Sequence, residues 1–314
     1  VMPAEMEDGW TNPPFEPVIR DGKMYGRGCT DMKGGLMASV MAVKLLQDAG
    51  YELPGDVTIT SVCDEEGGGN GSIQAVMRGL KADGVVNCEP TDDTLILAHM
   101  GWVFCKVDFE GKACHSGAKA EGVSAIEKAI KVIQGLNEME HRWLLTIRHR
   151  LLPPPSLNIG VIEGGTAGST VPGECSFSTC VHYVPTLMNQ DMVVKEFTEV
   201  VERISRSDAW MEAHPPKISI YQTGHGFEME EDHPLVDTFK EAYSEALSVS
   251  VKVEGSHFGG DSRLWRNIAG CPTIQYGPGE GAQCHTVDEW LKIDSYLEAI
   301  LVYAKLILSW GEKK

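Results

Sequence analysis

From residue 34 to residue 89 the apolar residues come in short runs that switch between a helical and a strand period. This rhythm constrains the fold more than any other feature of the chain. "DMKGGLMASVMAVKLLQDAG" sets Leu36, Val40, Val43 and Leu46 on one helical face, with Gly50 placed to end the helix. "GDVTITSVC" follows a Pro-Gly turn and is rich in β-branched residues, which predicts a strand over 57–62. A short helix over 73–80 and an apolar strand in "GVVNCE" come next. Strands apolar enough to be covered on both faces, with helices between them, predict an α/β layer structure with a mostly parallel central sheet.

Near Trp102 the rhythm changes. "WVFCKVDFEG" reads as a strand, "GVSAIEKAIKVIQGL" as a helix with Ile126, Ile130 and Ile133 on one face, and "SLNIGVI" and "CSFSTCVHYV" as two strands. A helix in "DMVVKEFTEVVERIS" and a strand in "PKISIYQT" complete the order βαββαβ, which is ferredoxin-like. The simplest account is a compact unit, 101–223, inserted into a discontinuous domain made of 1–100 and 224–314. The last part reads as helix, a short strand in "PTIQYG" and a long final helix. "HTVDEW" is expected to open that helix with a capping box from Thr286 to Glu289.

A chain of 314 residues has room for roughly two such domains. Its formal net charge of −18 argues against nucleic acid or an anionic membrane surface as partner. The nine cysteines are odd in number, scattered and without a C-x-x-C pair, which fits reduced thiols in a cytoplasmic protein. The start, "VMPAEMEDGW", has neither the basic region nor the apolar run of a signal peptide. The apolar stretch 290–310 is interrupted by Lys292, Asp294, Glu298 and Lys305, as in an amphipathic helix and unlike a membrane span.

The chemistry concentrates where predicted strands end. Asp31 stands between a glycine-rich turn and a helix start. Glu65 and Glu66, in "CDEEGGG", close the predicted strand 57–62. Glu89 ends "GVVNCE", and His285 sits in "GAQCHTVDEW". In an open α/β sheet the carboxyl ends of the strands form the ligand crevice. Asp, Glu, Glu and His converging there make the mixed oxygen and nitrogen donor set that suits zinc or a similar divalent ion. Singly, each residue reads as well as a helix cap, a turn acid or a structural histidine.

"DGWTNPPFEPVIRDGKMYGRGCTDMKGGL", "DEEGGG", "NCEPT", "GKACHSG", "GGTAGSTVP", "GGDSR" and "QCHTVDEW" occur in this order along the chain. Together they resemble the dinuclear zinc amidohydrolases and peptidases that include acetylornithine deacetylase, succinyl-diaminopimelate desuccinylase and glutamate carboxypeptidase. The likeness is greatest to the first two and covers essentially the whole chain. It implies a zinc-peptidase-like catalytic domain with an inserted ferredoxin-like lid that also serves dimerisation. It implies two divalent ions, zinc first with cobalt or manganese as alternatives. Asp31 is then expected to bridge the ions, Glu66 and His285 to complete one site, and Glu89 to belong to the other. Glu65 is expected to act as general base toward the attacking water. His115, on the lid, is expected to stabilise the oxyanion, often from across a dimer, and Arg263 to hold the substrate carboxylate. An ion pair with Asp261 is the plain alternative for Arg263.

Three features depart from the family pattern. The family's Gly-His-x-Asp segment, whose histidine would be the remaining ligand of the Glu89 site, is not among these residues, and an N-terminally incomplete record is the expected reason. Ser169 stands where the lid segment usually carries asparagine, and His182 stands at a position that usually carries arginine. Both positions normally help to bind substrate; a strand-face role is the plain reading of His182. The expectation is a homodimeric deacylase cleaving the amide of an N-acyl amino acid. A dipeptidase or carboxypeptidase acting on short peptides is the alternative on the same scaffold, and a catalytically silent small-molecule-binding protein is the alternative of another class.

Overall fold

The computed structural model describes residues 1–313. The chain divides into two compact units, Val1–His99 with Phe227–Lys314, and Met100–Gly226. The first unit begins with β1 (Val18–Arg20), β2 (Lys23–Tyr25), α1 (Gly34–Asp48), α2 (Asn70–Met77), β3 (Val85–Asn87) and β4 (Leu95–His99). The second contains β5 (Gly101–Glu110), β6 (Cys114–His115), α3 (Ala125–Thr146), β7 (Ser156–Gly164) and β8 (Thr170–Val171). It continues with β9 (Glu174–Tyr183), α4 (Gln190–Arg206), α5 (Ala209–Ala213) and β10 (Lys217–Gly224). The first unit then resumes with β11 (Phe227–Glu228), α6 (Pro234–Leu247), β12 (Val253–Ser256) and α7 (Ser262–Asn267). It closes with β13 (Thr273–Gln275), β14 (Trp290–Lys292) and α8 (Ile293–Glu312).

The larger sheet of the first unit runs β11-β4-β13-β3, with β12 also paired to β4. β12 is parallel to β4 and β13 to β3, whereas β11 and β13 are antiparallel to β4. The sheet is therefore mixed, which corrects the expectation of a mostly parallel one. Fully buried runs such as "LILAH" satisfy either direction equally well, so apolarity alone does not encode strand polarity.

Residues 57–62 are a second departure: they form no strand among the described residues, and Val57, Ile59 and Val62 are all exposed. Their β-branched alternation is compatible with a strand, but a strand also needs a hydrogen-bonded neighbour. The third departure is at residues 286–292. β14 pairs antiparallel with β2, Tyr25 opposite Trp290, and the final helix begins only at Ile293. Glu289 is fully buried ahead of that strand, so it is no capping-box residue.

Helix α1 packs on α8, and its buried residues are Gly35, Ala38, Ala42 and Leu46. Of the expected face, Leu46 is buried and Leu36, Val40 and Val43 are half-buried, while the other buried positions are small residues that let the helix come close. At Gly35 an added Cβ would lie 2.0 Å from the Cys88 carbonyl oxygen. This glycine lets the start of α1, just after Asp31, press against the segment that carries Glu89.

In the second unit, β10-β5-β9-β7 form one antiparallel sheet. β5 alternates buried and half-buried residues along its length, and α3 and α4 pack against the sheet. Val103, Val107, Phe177, Leu136 and Phe197 lie at the centre of that core. The buried face of α3 is Ala125, Ala129, Val132, Leu136, Met139 and Trp143, while Ile130 is exposed. Of the expected face, Ile126 and Ile133 do pack, half-buried, against this core and only Ile130 does not, so the fully buried stripe lies about one position earlier. Ser124, Asn189 and Asp208 accept backbone N–H groups at the starts of α3, α4 and α5.

Candidate metal centre

Three loops of the first unit bring the predicted ligands together. Asp31 lies between the Gly26–Thr30 turn and α1, Glu65 and Glu66 lie in the turn before α2, and His285 precedes β14. One ligand atom each from Asp31, Glu66 and His285 falls within 4.8 Å of the others. His285 Nε2 is 3.0 Å from Glu66 Oε2 and 3.2 Å from Asp31 Oδ2. His285 holds this position from a left-handed backbone, with φ of 63°, a conformation in which histidine is found more often than most residues.

The turn before α2 is shaped by Asp64, which also has positive φ and accepts a hydrogen bond from Asn70. At Gly69 an added Cβ would lie 2.2 Å from Asp261 Oδ1, so glycine there allows the acidic turn to approach a further carboxylate. Asp64 thus shapes the turn, and Glu65 and Glu66 carry their charge into the site.

The site is an uncompensated anionic cluster. Burial raises the pKa of Asp31, and Glu66 raises it further, with His285 partly opposing. Glu65 is pushed up to about 7, first by burial and then by Asp261, Glu66 and Asp31, with Arg263 acting the other way. Glu89, almost wholly buried, is pushed well above its ordinary value by burial and by Glu65, Asp31, Asp261 and Glu66. Asp261 Oδ2 is buried with no hydrogen-bond partner among the described residues. Crowded carboxylates with an orphaned anionic oxygen and one imidazole fit a divalent cation. Such an ion reverses the sign of these shifts by supplying the missing positive charge. Asp31, Glu66 and His285 form the compact set; Glu89 stands outside it but within its electrostatic reach. The cluster borders a cavity of about 930 Å³, which is also lined by Val57, Ile59, Val86 and Cys88.

The remaining predicted residues are placed differently. Arg263 is buried: it donates to the Gly260 carbonyl at 2.9 Å and the Gly68 carbonyl at 2.9 Å, and pairs with Asp261 at 3.3 Å. Its guanidinium therefore braces the acidic turn in this conformation. In the second unit, β6 pairs with β8, which sets His115 opposite Thr170, and Ser116 N–H donates to the Ser169 carbonyl. His115 and Ser169 are thus exposed neighbours on one small ribbon. His115 Nδ1 accepts from Gly117 N–H, so the neutral ring carries its proton on Nε2. His182 lies in β9 opposite Trp102, 3.8 Å from Cys180 Sγ, and burial lowers its pKa.

Two neighbours of the site went unnoticed in the sequence. Cys284 hydrogen-bonds to Asp31, and burial followed by the Asp31 and Glu89 charges pushes its thiol far up. Glu289 is wholly buried against the Asp31 loop. Its place four residues after His285 was the available signal, and it was absorbed into a helix cap.

Comparison with known proteins places the chain among relatives. The chain is 31% identical over 335 residues to the N-formyl-4-amino-5-aminomethyl-2-methylpyrimidine deformylase of Bacillus subtilis (strain 168), covering 100% of this chain and 78% of that protein. It is 26% identical over 349 residues to a probable succinyl-diaminopimelate desuccinylase of Staphylococcus aureus (strain MRSA252), covering 100% of this chain and 82% of the relative. Among solved structures, an M20 family metallo-carboxypeptidase from Sulfolobus solfataricus superimposes with a TM-score of 0.76 at 18% identity, over 99% of this chain and 83% of the other. The model of peptidase family M20/M25/M40 matches residues 1–309, so the chain belongs to that family and is a hydrolytic enzyme of it.

Proposed function

We propose that the protein is a metal-dependent deacylase that hydrolyses the amide bond of a small linear substrate, with an N-acyl amino acid as the first candidate. The observation that carries this reading is the cluster of Asp31, Glu66 and His285 within 4.8 Å, with Glu65 beside it and its pKa pushed up to about 7. Asp31, Glu66 and His285 would hold one divalent ion, and Asp31 with Glu89 would contribute to a second. Bound zinc, or cobalt or manganese in its place, supplies acidification of water and polarisation of the amide carbonyl.

Glu65 takes the proton from the attacking water and returns it to the departing amine. The Nε2–H of His115 is the donor assigned to the oxyanion, and Ser169 and His182 are the lid positions assigned to substrate. The Met100–Gly226 unit, in which the main-sheet strands β5, β7, β9 and β10 and the helices α3 and α4 follow a βαββαβ order, would be the ferredoxin-like lid and dimerisation module. A cytoplasmic location is consistent with nine free thiols, and a homodimer is the assembly proposed from the family likeness. No helix among the described residues is long and apolar enough to cross a membrane.

A second reading concerns the substrate. Arg263, expected at a substrate carboxylate, has its guanidinium donating to Gly260, Gly68 and Asp261. An N-formyl amine without a carboxylate is therefore the second candidate, and the name of the Bacillus subtilis relative supports it. A panel of N-acetyl, N-succinyl and N-formyl amino acids, dipeptides and N-formylated aminomethyl-heterocycles, read as free amine released, separates the two. The purified full-length protein should contain about two divalent ions per chain. Chelation should abolish turnover and lower the melting temperature, and zinc should restore both. Turnover that survives complete chelation would remove the metal-dependent reading.

A further inference from the structure

Glu289 has more donors aimed at it than any cap requires. Its Oε1 accepts from Thr30 N–H at 2.8 Å and Asp31 N–H at 3.0 Å. Its Oε2 accepts from Gly28 N–H at 2.9 Å and from Arg27 at 2.9 Å. The carboxylate is completely buried and Arg27 almost so, with the guanidinium of Arg27 set over the Trp10 ring. A carboxylate has about four lone-pair sites, and all of these are filled by one loop. Two further struts join the same segments: Gly26 N–H donates to the Glu289 carbonyl at 2.9 Å, and Thr30 Oγ1 donates to the Trp290 carbonyl at 2.6 Å.

We infer that Glu289 is a positioning residue for the metal centre, holding the Gly28–Asp31 loop and the segment that carries His285 in one frame. The inference rests on the ligand assignment proposed above. Asp31 and His285 are 254 residues apart in the numbering (285 − 31), yet their side chains meet at 3.2 Å. Asp31 N–H is fixed by Glu289 directly, so the direction in which the Asp31 carboxylate leaves the backbone is set by a residue four positions beyond His285. Neither conservative replacement reproduces these contacts. Glutamine would turn an NH2 group toward two donors, and aspartate, one methylene shorter, would not span from its own strand to the loop. Arg27 balances the charge of Glu289, so a fixed anion is built beside the site without being offered to the ion as a ligand.

The test is competitive chelator titration of zinc against the folded full chain, with the melting temperature of the metal-free protein measured in parallel. E289Q should bind zinc about 10- to 100-fold more weakly while folded, as removal of groups that orient ligands does. E289D, which keeps the charge, should not restore the affinity. Zinc affinity within twofold of the parent in folded E289Q, or restoration by E289D, would overturn the inference, leaving a role in stability or charge alone. If E289Q does not fold, T30V removes only the Thr30 strut between the same segments, and an affinity about 3- to 10-fold weaker is expected. Unchanged affinity there would equally overturn it. D31N and H285A are the controls on the assignment itself: if they leave zinc binding unaltered, the ligand reading fails and not merely the role of Glu289.

Discussion

Glu65 and Glu66 are neighbours in the chain with different surroundings. Glu66 Oε2 meets His285 Nε2 at 3.0 Å, whereas Glu65 is surrounded by Asp261, Glu66, Asp31 and Arg263. On this difference rests the expectation that E65Q keeps its metal and loses about 10²- to 10⁴-fold in kcat. Metal content by elemental analysis and turnover on the best substrate of the panel check it; retained turnover would remove Glu65 as the base. The acids and the histidine were legible as residue types at the ends of apolar runs. What was not legible was which of their neighbours turn inward. Glu289 lies in "VDEW", where a glutamate three residues after threonine has the pattern of a cap, and only the antiparallel pairing of β14 with β2 sends it into the interior. For Arg263 the sequence offered both a substrate carboxylate and a pair with Asp261; the pair is present, and what left no mark was that the same guanidinium also donates to the Gly260 and Gly68 carbonyls.

At the scale of elements, helices were read better in extent than in facing. The α1 and α3 windows were recognised as helical, but their buried stripes pass through glycine and alanine, which a search for large apolar residues passes over. Strand direction in the first unit was beyond reach, because hydrogen-bond polarity leaves no mark on a fully apolar run. The most testable element junction is Asp208, which caps α5 through Trp210 and Met211 and pairs with Lys128 and Lys131 of α3 at 2.8 and 2.5 Å. Burial alone would raise its pKa, but the two lysines outweigh burial and hold it well below the usual carboxylate range. A depressed native pKa stabilises the fold above the unfolded value near ~4, and that contribution is lost as the pH falls toward the native value. D208N should therefore cost about 1–3 kcal/mol at neutral pH. The gap between its melting temperature and that of the parent should be constant from about pH 5 to 7 and narrow below about pH 4. A gap independent of pH across that range would contradict the assignment.

For the whole molecule, the formal charge of −18 and the anionic centre act in the same direction. The chain repels itself, and several carboxylates are held where each raises the pKa of the next. The compact cluster draws together residues 31, 66 and 285, with Glu65 and Glu89 in electrostatic reach, so few of its contacts are local. The exposed run 57–62 has a further consequence, for the handling of this chain. Val57, Ile59 and Val62 offer uncovered β-branched surface in a segment whose alternation suits edge pairing with another chain, the usual starting point of aggregation. Net charge opposes such encounters only while it is unscreened, and screening shortens its reach to about 8 Å at physiological salt. Solutions of this chain should therefore scatter more light as salt is raised, and T58K, a charge set into the middle of the run, should suppress that rise. Equal scattering by T58K and the parent across the salt series would place the sticky surface elsewhere.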